Sequence, residues 1–470
     1  MQINRLVFPG FWFDRQDLSL AEDLARQGVG GFCLYGGTTQ QIKLFTQKVR
    51  QASPLKKILI CADYEDGLGR WVKDAPRLAP NLALGAAGDT QLAFEKGLLT
   101  ALQARQLGVD WVFAPVLDLA DTPNNPIVNT RAFSANGQDT SRLARAFTNG
   151  LTQGGVLNCI KHFPGHGQTE TDSHLALPVL NRSLDQLKQH ELIPFVQLLP
   201  FTHGVMTGHL LLPQIDPQNP ASFSPAIQTG LLKNQLGWKG CVLTDALLMR
   251  AIGDEKQAAL KALQAGSHIL LAMNDPQALI QFLHQQTLPQ DLLQTATGQL
   301  DRLCQQADLL AANARGNLST LPSFNLRAAH AACVQQGDCH IPPQARVKLL
   351  ALGDNEQRGF APFEQTLRQA GITLTQERAD VLVILSLSNY KSFKGHINLN
   401  EEELSLARVE TRKHPKSILV CLGSPFAAAD LQSCVNGTVH AFCPLEEFQQ
   451  TAAEILLGRR KAKGHLPVQI

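Results

Sequence analysis

The sequence predicts an α/β protein, a (β/α)8 TIM-type barrel followed by a smaller α/β domain with an open sheet. Three observations predict it. Between Ile3 and Met273, eight short apolar runs alternate with longer amphipathic stretches. The runs are continuously apolar, as in parallel strands buried on both faces. Ionisable residues fall at the same end of five successive runs, the end that forms the active-site face of a barrel.

In chain order the runs are "INRLVFPG", "VGGFCLY", "KILICADYE", "VDWVFAPVLDL", "VLNCIKHF", "THGVMTGHL", "CVLTDALLM" and "SHILLAM". Between them lie helical patterns such as "DLSLAEDLARQG", "TQLAFEKGLLTALQARQLG" and "DTSRLARAFTNGLTQGG", each stopped by glycine. An open doubly wound sheet would alternate in the same way. The count of eight units within about 270 residues favours the barrel. Asp63 ends the third run, Asp118 the fourth, Lys161 and His162 the fifth, His209 the sixth and Asp245 the seventh.

A helical pattern continues from about 279 to 317. The barrel is therefore expected over residues 1–320, with 321–340 a connector of mixed character that holds no long strand. Beyond it, "RVKLLALG", "ADVLVILSLS", "SILVCLGSP" and "TVHAFCP" read as strands separated by helices, giving a small domain over 341–470.

Composition narrows the class. With 42 basic and 40 acidic residues the formal charge is +2, which does not suit nucleic acid or an anionic membrane as a partner. No apolar run approaches the roughly 18 residues of a membrane span. The start, "MQINRLVFPGFWF", lacks the pattern of a secretory signal, so a cytoplasmic protein is expected. The 10 cysteines contain no C-x-x-C pair; Cys33, Cys61, Cys159 and Cys241 sit inside apolar runs and read as core residues.

The chemistry concentrates in "KHFPGHGQTETDSH", Lys161 to His174. A zinc site from His162, His166, Asp172 and His174 is disfavoured, because Pro164 and Gly165 break any helix that would align the first two histidines. No metal or other cofactor is expected. The alternatives are a surface loop whose Asp172 and His174 are merely solvated, and a loop that delivers an acid/base. Asp172 and His174, one residue apart, can pair so that the carboxylate fixes the imidazole and leaves its other nitrogen for substrate. Gly165, Gly167 and the hydroxyl-rich "QTETDS" suit a loop over a barrel mouth. Asp245, after the run "CVLT", either caps the next helix or points into the mouth.

Together these residues resemble glycoside hydrolase family 3, in its two-domain β-N-acetylglucosaminidase branch. "KHFPGHG", four residues and then "DSH" match that branch's loop at its usual length. "VLTDALLM", "PVLDLADTPNNPIVNTRAF", "VMTGHLLLPQID" and "LALPVLNRSLDQLKQHELIPF" are similar to its other segments, over roughly residues 1 to 310. The resemblance implies a retaining glycosidase. Asp245 would be the nucleophile, His174 the acid/base and Asp172 its orienting partner. Asp63, Arg131, Lys161 and His162 would hold hydroxyls of the sugar. Arg70 and the strand-end His209 complete the expected substrate-binding set. After the third strand the family shows Asp-x-Glu-Gly-Gly-x-Val-x-Arg. Here the loop reads "DYEDGLGRW": an aspartate and a leucine intrude, and the arginine falls one place early.

The expected substrate is a carbohydrate bearing terminal β-linked GlcNAc, such as a peptidoglycan fragment. A phosphorylase or a broader β-glucosidase using the same site, and a sugar-binding barrel without activity, are the rival readings.

Overall fold

The computed structural model describes residues 2–173, 175–354, 359–390 and 394–470. All eight runs form strands of one parallel sheet. β1 is split at Pro9 into Val7–Phe8 and Gly10–Trp12. It is followed by β2 (Gly31–Tyr35), β3 (Leu59–Ala62), β4 (Trp111–Val112), β5 (Leu157–Phe163), β6 (Gly204–Thr207), β7 (Cys241–Ala246) and β8 (Ile269–Leu271). The two halves of β1 serve different neighbours. Val7 and Phe8 pair with Leu270 and Leu271, while Gly10 to Trp12 pair with Cys33 to Tyr35. The first strand thus joins both edges and closes the barrel. Proline suits the switch: it has no N–H to satisfy, and its carbonyl accepts from Cys33.

Two strands change register near the mouth. β5 and β6 pair at Ile160–Val205 and next at Phe163–Thr207, so the ladder slips across Lys161 and His162. β7 and β8 pair at Leu243–Ile269 and next at Ala246–Leu271, so it slips again across Thr244 and Asp245. Such irregularities re-aim side chains at the end of a strand. Here they fall on the polar residues that end the two apolar runs.

The small domain carries β9 (Val334–Gly337), β10 (Arg346–Gly353), β11 (Thr373–Leu374), β12 (Val381–Leu387), β13 (Lys416–Cys421) and β14 (Gly437–His440). Their order is β9-β14-β13-β12-β10-β11, with only β9 antiparallel. The segment read as a connector is more ordered than a linker. It forms the helix Leu321–Ala332 and supplies β9. The helix packs on the barrel: Arg327 pairs with Glu95, and Asn325 accepts from the amide of Ala79 and donates to the carbonyl of Arg77. The tail also returns to the barrel, where the carbonyl of Pro467 accepts from the Ser134 hydroxyl and the Ala135 amide, both at 2.9 Å. Among the described residues no helix is long and apolar enough to cross a membrane. Cys33, Cys61, Cys159 and Cys241 are buried free thiols.

The helices Thr90–Gln106 and Gly137–Gln153 pack against each other on the barrel's outside. Their contact needs glycine on both sides. A Cβ on Gly97 would stand 2.1 Å from the Phe147 carbonyl oxygen, and one on Gly150 would stand 2.0 Å from that of Phe94. Gly150→Ala should therefore destabilise the protein by about 1–3 kcal/mol through overpacking, although alanine is the better helix former by about 1 kcal/mol. Urea unfolding of the variant checks this, and an unchanged or raised midpoint would contradict the close approach.

Candidate active site

The C-terminal ends of the strands open onto a cleft of about 990 Å³. Asp63 follows β3, Lys161 and His162 lie near the end of β5, and Asp245 is the penultimate residue of β7; all four line the cleft. So do Arg70 and Arg131, from the loops after β3 and β4.

The wall is built around a carboxylate that the sequence reading did not single out. Glu65 is 1% exposed. It accepts from Arg131 Nε at 2.8 Å and Arg70 Nη1 at 2.6 Å, with Lys161 Nζ at 3.8 Å. Burial alone would raise its pKa, but the charges of Arg131, Lys161 and Arg70 outweigh it and hold the carboxyl far below its usual range. Lys161 also donates to Asp63 Oδ1 at 2.5 Å. Burial pushes the lysine pKa down, Asp63 and Glu65 push it up harder, and the ammonium stays charged. The ring of Tyr390, from the small domain, stands 4.9 Å from Arg70 Cζ and 4.8 Å from Arg131 Cζ and lines the same cleft.

The two intruding residues of the "DYEDGLGRW" loop have structural reasons. Leu68 is buried in the core. Asp66 turns inward to Lys96 Nζ at 3.2 Å, and that fully buried lysine also donates to Asn81 Oδ1 at 2.7 Å. Arg70, one place early, still reaches the cleft through its bond to Glu65.

His162 is oriented from behind. Its Nδ1 lies 2.6 Å from Asp118 Oδ2, while Asp118 Oδ1 accepts from the amides of His162 and His166. Burial raises the Asp118 pKa, yet His162 and the backbone donors bring it below the usual carboxylate range. The contact keeps a proton on Nδ1. His166, considered from sequence only as a zinc ligand, lines the cleft. Its Nδ1 meets Thr169 Oγ1 at 2.7 Å, and its buried Nε2 has no hydrogen-bond partner among the described residues. Burial lowers its pKa to about 4, so the ring is neutral at pH 7. Among the described residues no cluster of three or more histidine, cysteine or acidic side chains could hold a metal ion.

Asp245 is half-buried, and its Oδ1 accepts from the amide of Ala246 at 2.7 Å, which fixes the carboxylate at the strand end. Asp172 is 2% exposed, and its Oδ2 accepts from the amide of Gly395 in the small domain at 3.3 Å. Ser173 lines the cleft. His174 lies outside the described residues.

His209 is placed differently from the other strand-end residues. It was expected among the sugar-binding residues, but it is fully buried and does not line the cleft. Its Nδ1 meets Ser222 Oγ at 2.7 Å and its Nε2 meets the Ala246 carbonyl at 3.1 Å. A histidine at a strand end can turn beneath the mouth as readily as into it. Here it braces the backbone next to Asp245.

The model of the glycosyl hydrolase family 3 N terminal domain matches residues 2–303. The chain belongs to glycosyl hydrolase family 3. Similar proteins include the beta-hexosaminidase of Idiomarina loihiensis, 34% identical over 276 residues that cover 56% of this chain and 83% of the relative. That of Chromobacterium violaceum is 36% identical over 263 residues, covering 53% and 73%. Among solved structures, a β-N-acetylglucosaminidase from Paenibacillus sp. str. FPU-7 superposes with a TM-score of 0.86 at 24% identity, over 100% of this chain and 98% of that one. A beta-glucoside phosphorylase superposes at 0.91 with 20% identity, over 100% and 93%. At these identities the two structures speak for the shared two-domain fold alone.

Glu65→Gln should lower stability at pH 7 by about 3 kcal/mol, because buried cations lose their counter-charge. The sign with pH follows from the depressed carboxyl. Its contribution is complete above the unfolded pKa of about 4.3 and is lost as pH falls toward the folded one. The gap between the parent and Glu65→Gln in urea unfolding should therefore narrow from pH 7 to pH 3.5. A gap of equal size at both would show that the cluster does not hold Glu65 ionised.

Proposed function

We propose that this protein is a retaining β-N-acetylglucosaminidase that releases terminal β-linked GlcNAc, with peptidoglycan fragments in the cytoplasm as its substrates. The observation that carries the reading is a juxtaposition. A strand-end carboxylate, Asp245, faces the same cleft as the Lys161–Asp63–Glu65–Arg131 network. The loop ending in Asp172 and Ser173 reaches that cleft. The beta-hexosaminidase names of relatives at 34% and 36% identity support the sugar.

In the proposed mechanism Asp245 attacks the anomeric carbon while His174 gives a proton to the departing glycosidic oxygen. The C1–O bond to the aglycone breaks and an Asp245–C1 ester forms. His174 then takes a proton from water, whose oxygen attacks C1 and frees Asp245. Asp172 holds the imidazole during both transfers. Lys161 and Arg131 favour the ionised nucleophile and, with Asp63 and His162, bind sugar hydroxyls. An imidazole in place of a second carboxylate avoids two like charges in one cleft.

A second reading is favoured by the same chemistry. A neutral imidazole does not repel phosphate, so phosphate could replace water in the second step and leave with the sugar as a 1-phosphate. The fold shared with a beta-glucoside phosphorylase is compatible with it. Assays of aryl glycosides with and without phosphate, followed by detection of sugar 1-phosphate, separate the two.

Asp245→Ala should abolish turnover, and a mechanism-based fluoro glycoside that keeps the 2-acetamido group should label Asp245 in the parent protein; label on Asp118 or Asp63 instead would overturn the assignment. Sugar choice gives an independent check. A site that pairs the 2-acetamido group leaves buried polar atoms unpaired with glucose, so kcat/KM for the GlcNAc aryl glycoside should be higher by roughly tenfold or more. Equal values would remove the N-acetyl preference and leave the retaining mechanism standing.

A further inference from the structure

One segment of the small domain touches the barrel's active-site residues at two places. It carries Asn389, Tyr390, Lys394 and Gly395, beyond the end of β12. Both of its flanks are tied to one carboxylate, Asp354, which follows β10. The Asn389 amide donates to Asp354 Oδ2 at 3.2 Å, and Lys394 Nζ donates to Oδ1 and Oδ2 at 2.7 and 2.8 Å. Asp354 is itself fixed by its amide, which donates to the Leu387 carbonyl at 2.6 Å. From this anchor Tyr390 lies against both Arg70 and Arg131, and the Gly395 amide donates to Asp172 Oδ2. Gly395 has a φ of +76°, a conformation that favours glycine and lets the backbone come close to the loop that carries Asp172.

We propose that this segment is a positioning element of the catalytic site: the small domain, anchored at Asp354, sets Asp172 through the Gly395 amide and sets the Arg70–Arg131 pair through Tyr390. The inference rests on the reading of Asp172 and His174 as the acid/base dyad. The physical case has two parts. A carboxylate that must orient an imidazole works only in one plane and rotamer, and an amide bonded to one of its oxygens restricts both. Two guanidinium groups that share Glu65 repel each other, and an aromatic ring within 5 Å of both stabilises the pair. Neither Tyr390 nor Gly395 supplies a proton or a nucleophile.

The test uses the full chain and a readout that a merely structural role would not move. Asp354 is not part of the cleft lining. Asp354→Ala should lower kcat by about tenfold or more on GlcNAc glycosides with poor leaving groups and by less than about threefold on activated aryl glycosides, because only the former need the proton at departure. Lys394→Met should show the same split if Asp354→Ala does not fold, and Lys394→Arg should restore parental rates. Tyr390→Ala should raise KM for both substrate classes alike, and Tyr390→Phe should not. Asp172→Ala separates the two levels of the argument. If it shows no leaving-group dependence, the dyad reading fails. If it does and neither Asp354→Ala nor Lys394→Met does, the small domain does not position the dyad and this inference is overturned.

Discussion

Glu65 is the constraint on which the site depends. A lone carboxylate at 1% exposure would cost several kcal/mol, and so would each buried cation near it. Set together they offset one another. Because Arg70 lies on the same loop as Glu65, Arg131 on the loop after β4 and Lys161 on β5, satisfying one charge ties two loops to a strand end. Asp66, next in sequence, lies 3.6 Å from the same Arg70 and also reaches Lys96, which ties the turn to the helix Thr90–Gln106. Two adjacent acids thus share Arg70 and join the cleft to the wall behind it.

Backbone irregularity does the corresponding work on the strands. In an undisturbed parallel ladder alternate side chains point in and out. The register slips on β5 and β7 occur where a regular ladder would give way to the mouth, and they fall on Lys161, His162 and Asp245. The helices Thr90–Gln106 and Gly137–Gln153 have little freedom to follow such changes, since they are packed to backbone contact at Gly97 and Gly150. The adjustments stay local to the strand ends, and the sheet below remains regular.

Much of this was legible in the sequence, for identifiable reasons. The strands of the barrel are apolar runs because both faces of a parallel sheet are buried. Asp63, Lys161, His162 and Asp245 stood out because they interrupt such runs. Arg131 and Arg70 came from the family pattern, and both line the cleft. Glu65 was equally present in "DYE", two residues from Asp63, but a charge in a short loop carries no mark of burial. His209 had the same strand-end signature as its neighbours, and only the positions of Ser222 and the Ala246 carbonyl show that its ring is already occupied. Tyr390 had no signal at all, since nothing in "SLSNY" says which part of another domain it will meet. The helix Leu321–Ala332 was missed as an element of its own because its apolar positions are mostly alanine, a weak hydrophobic signal.

The divided first strand has a consequence for how the chain reaches this structure. Val7 and Phe8 find their partners only at Leu270 and Leu271, so the seam of the barrel is among its most distant pairings in sequence. Pairings of that kind form late, because the entropy of closing the loop opposes them until the intervening units are in place. During synthesis the amino-terminal strand must therefore remain without its β8 neighbour while nearly the whole barrel leaves the ribosome. Its apolar edge is in that interval open to pairing with the wrong chain.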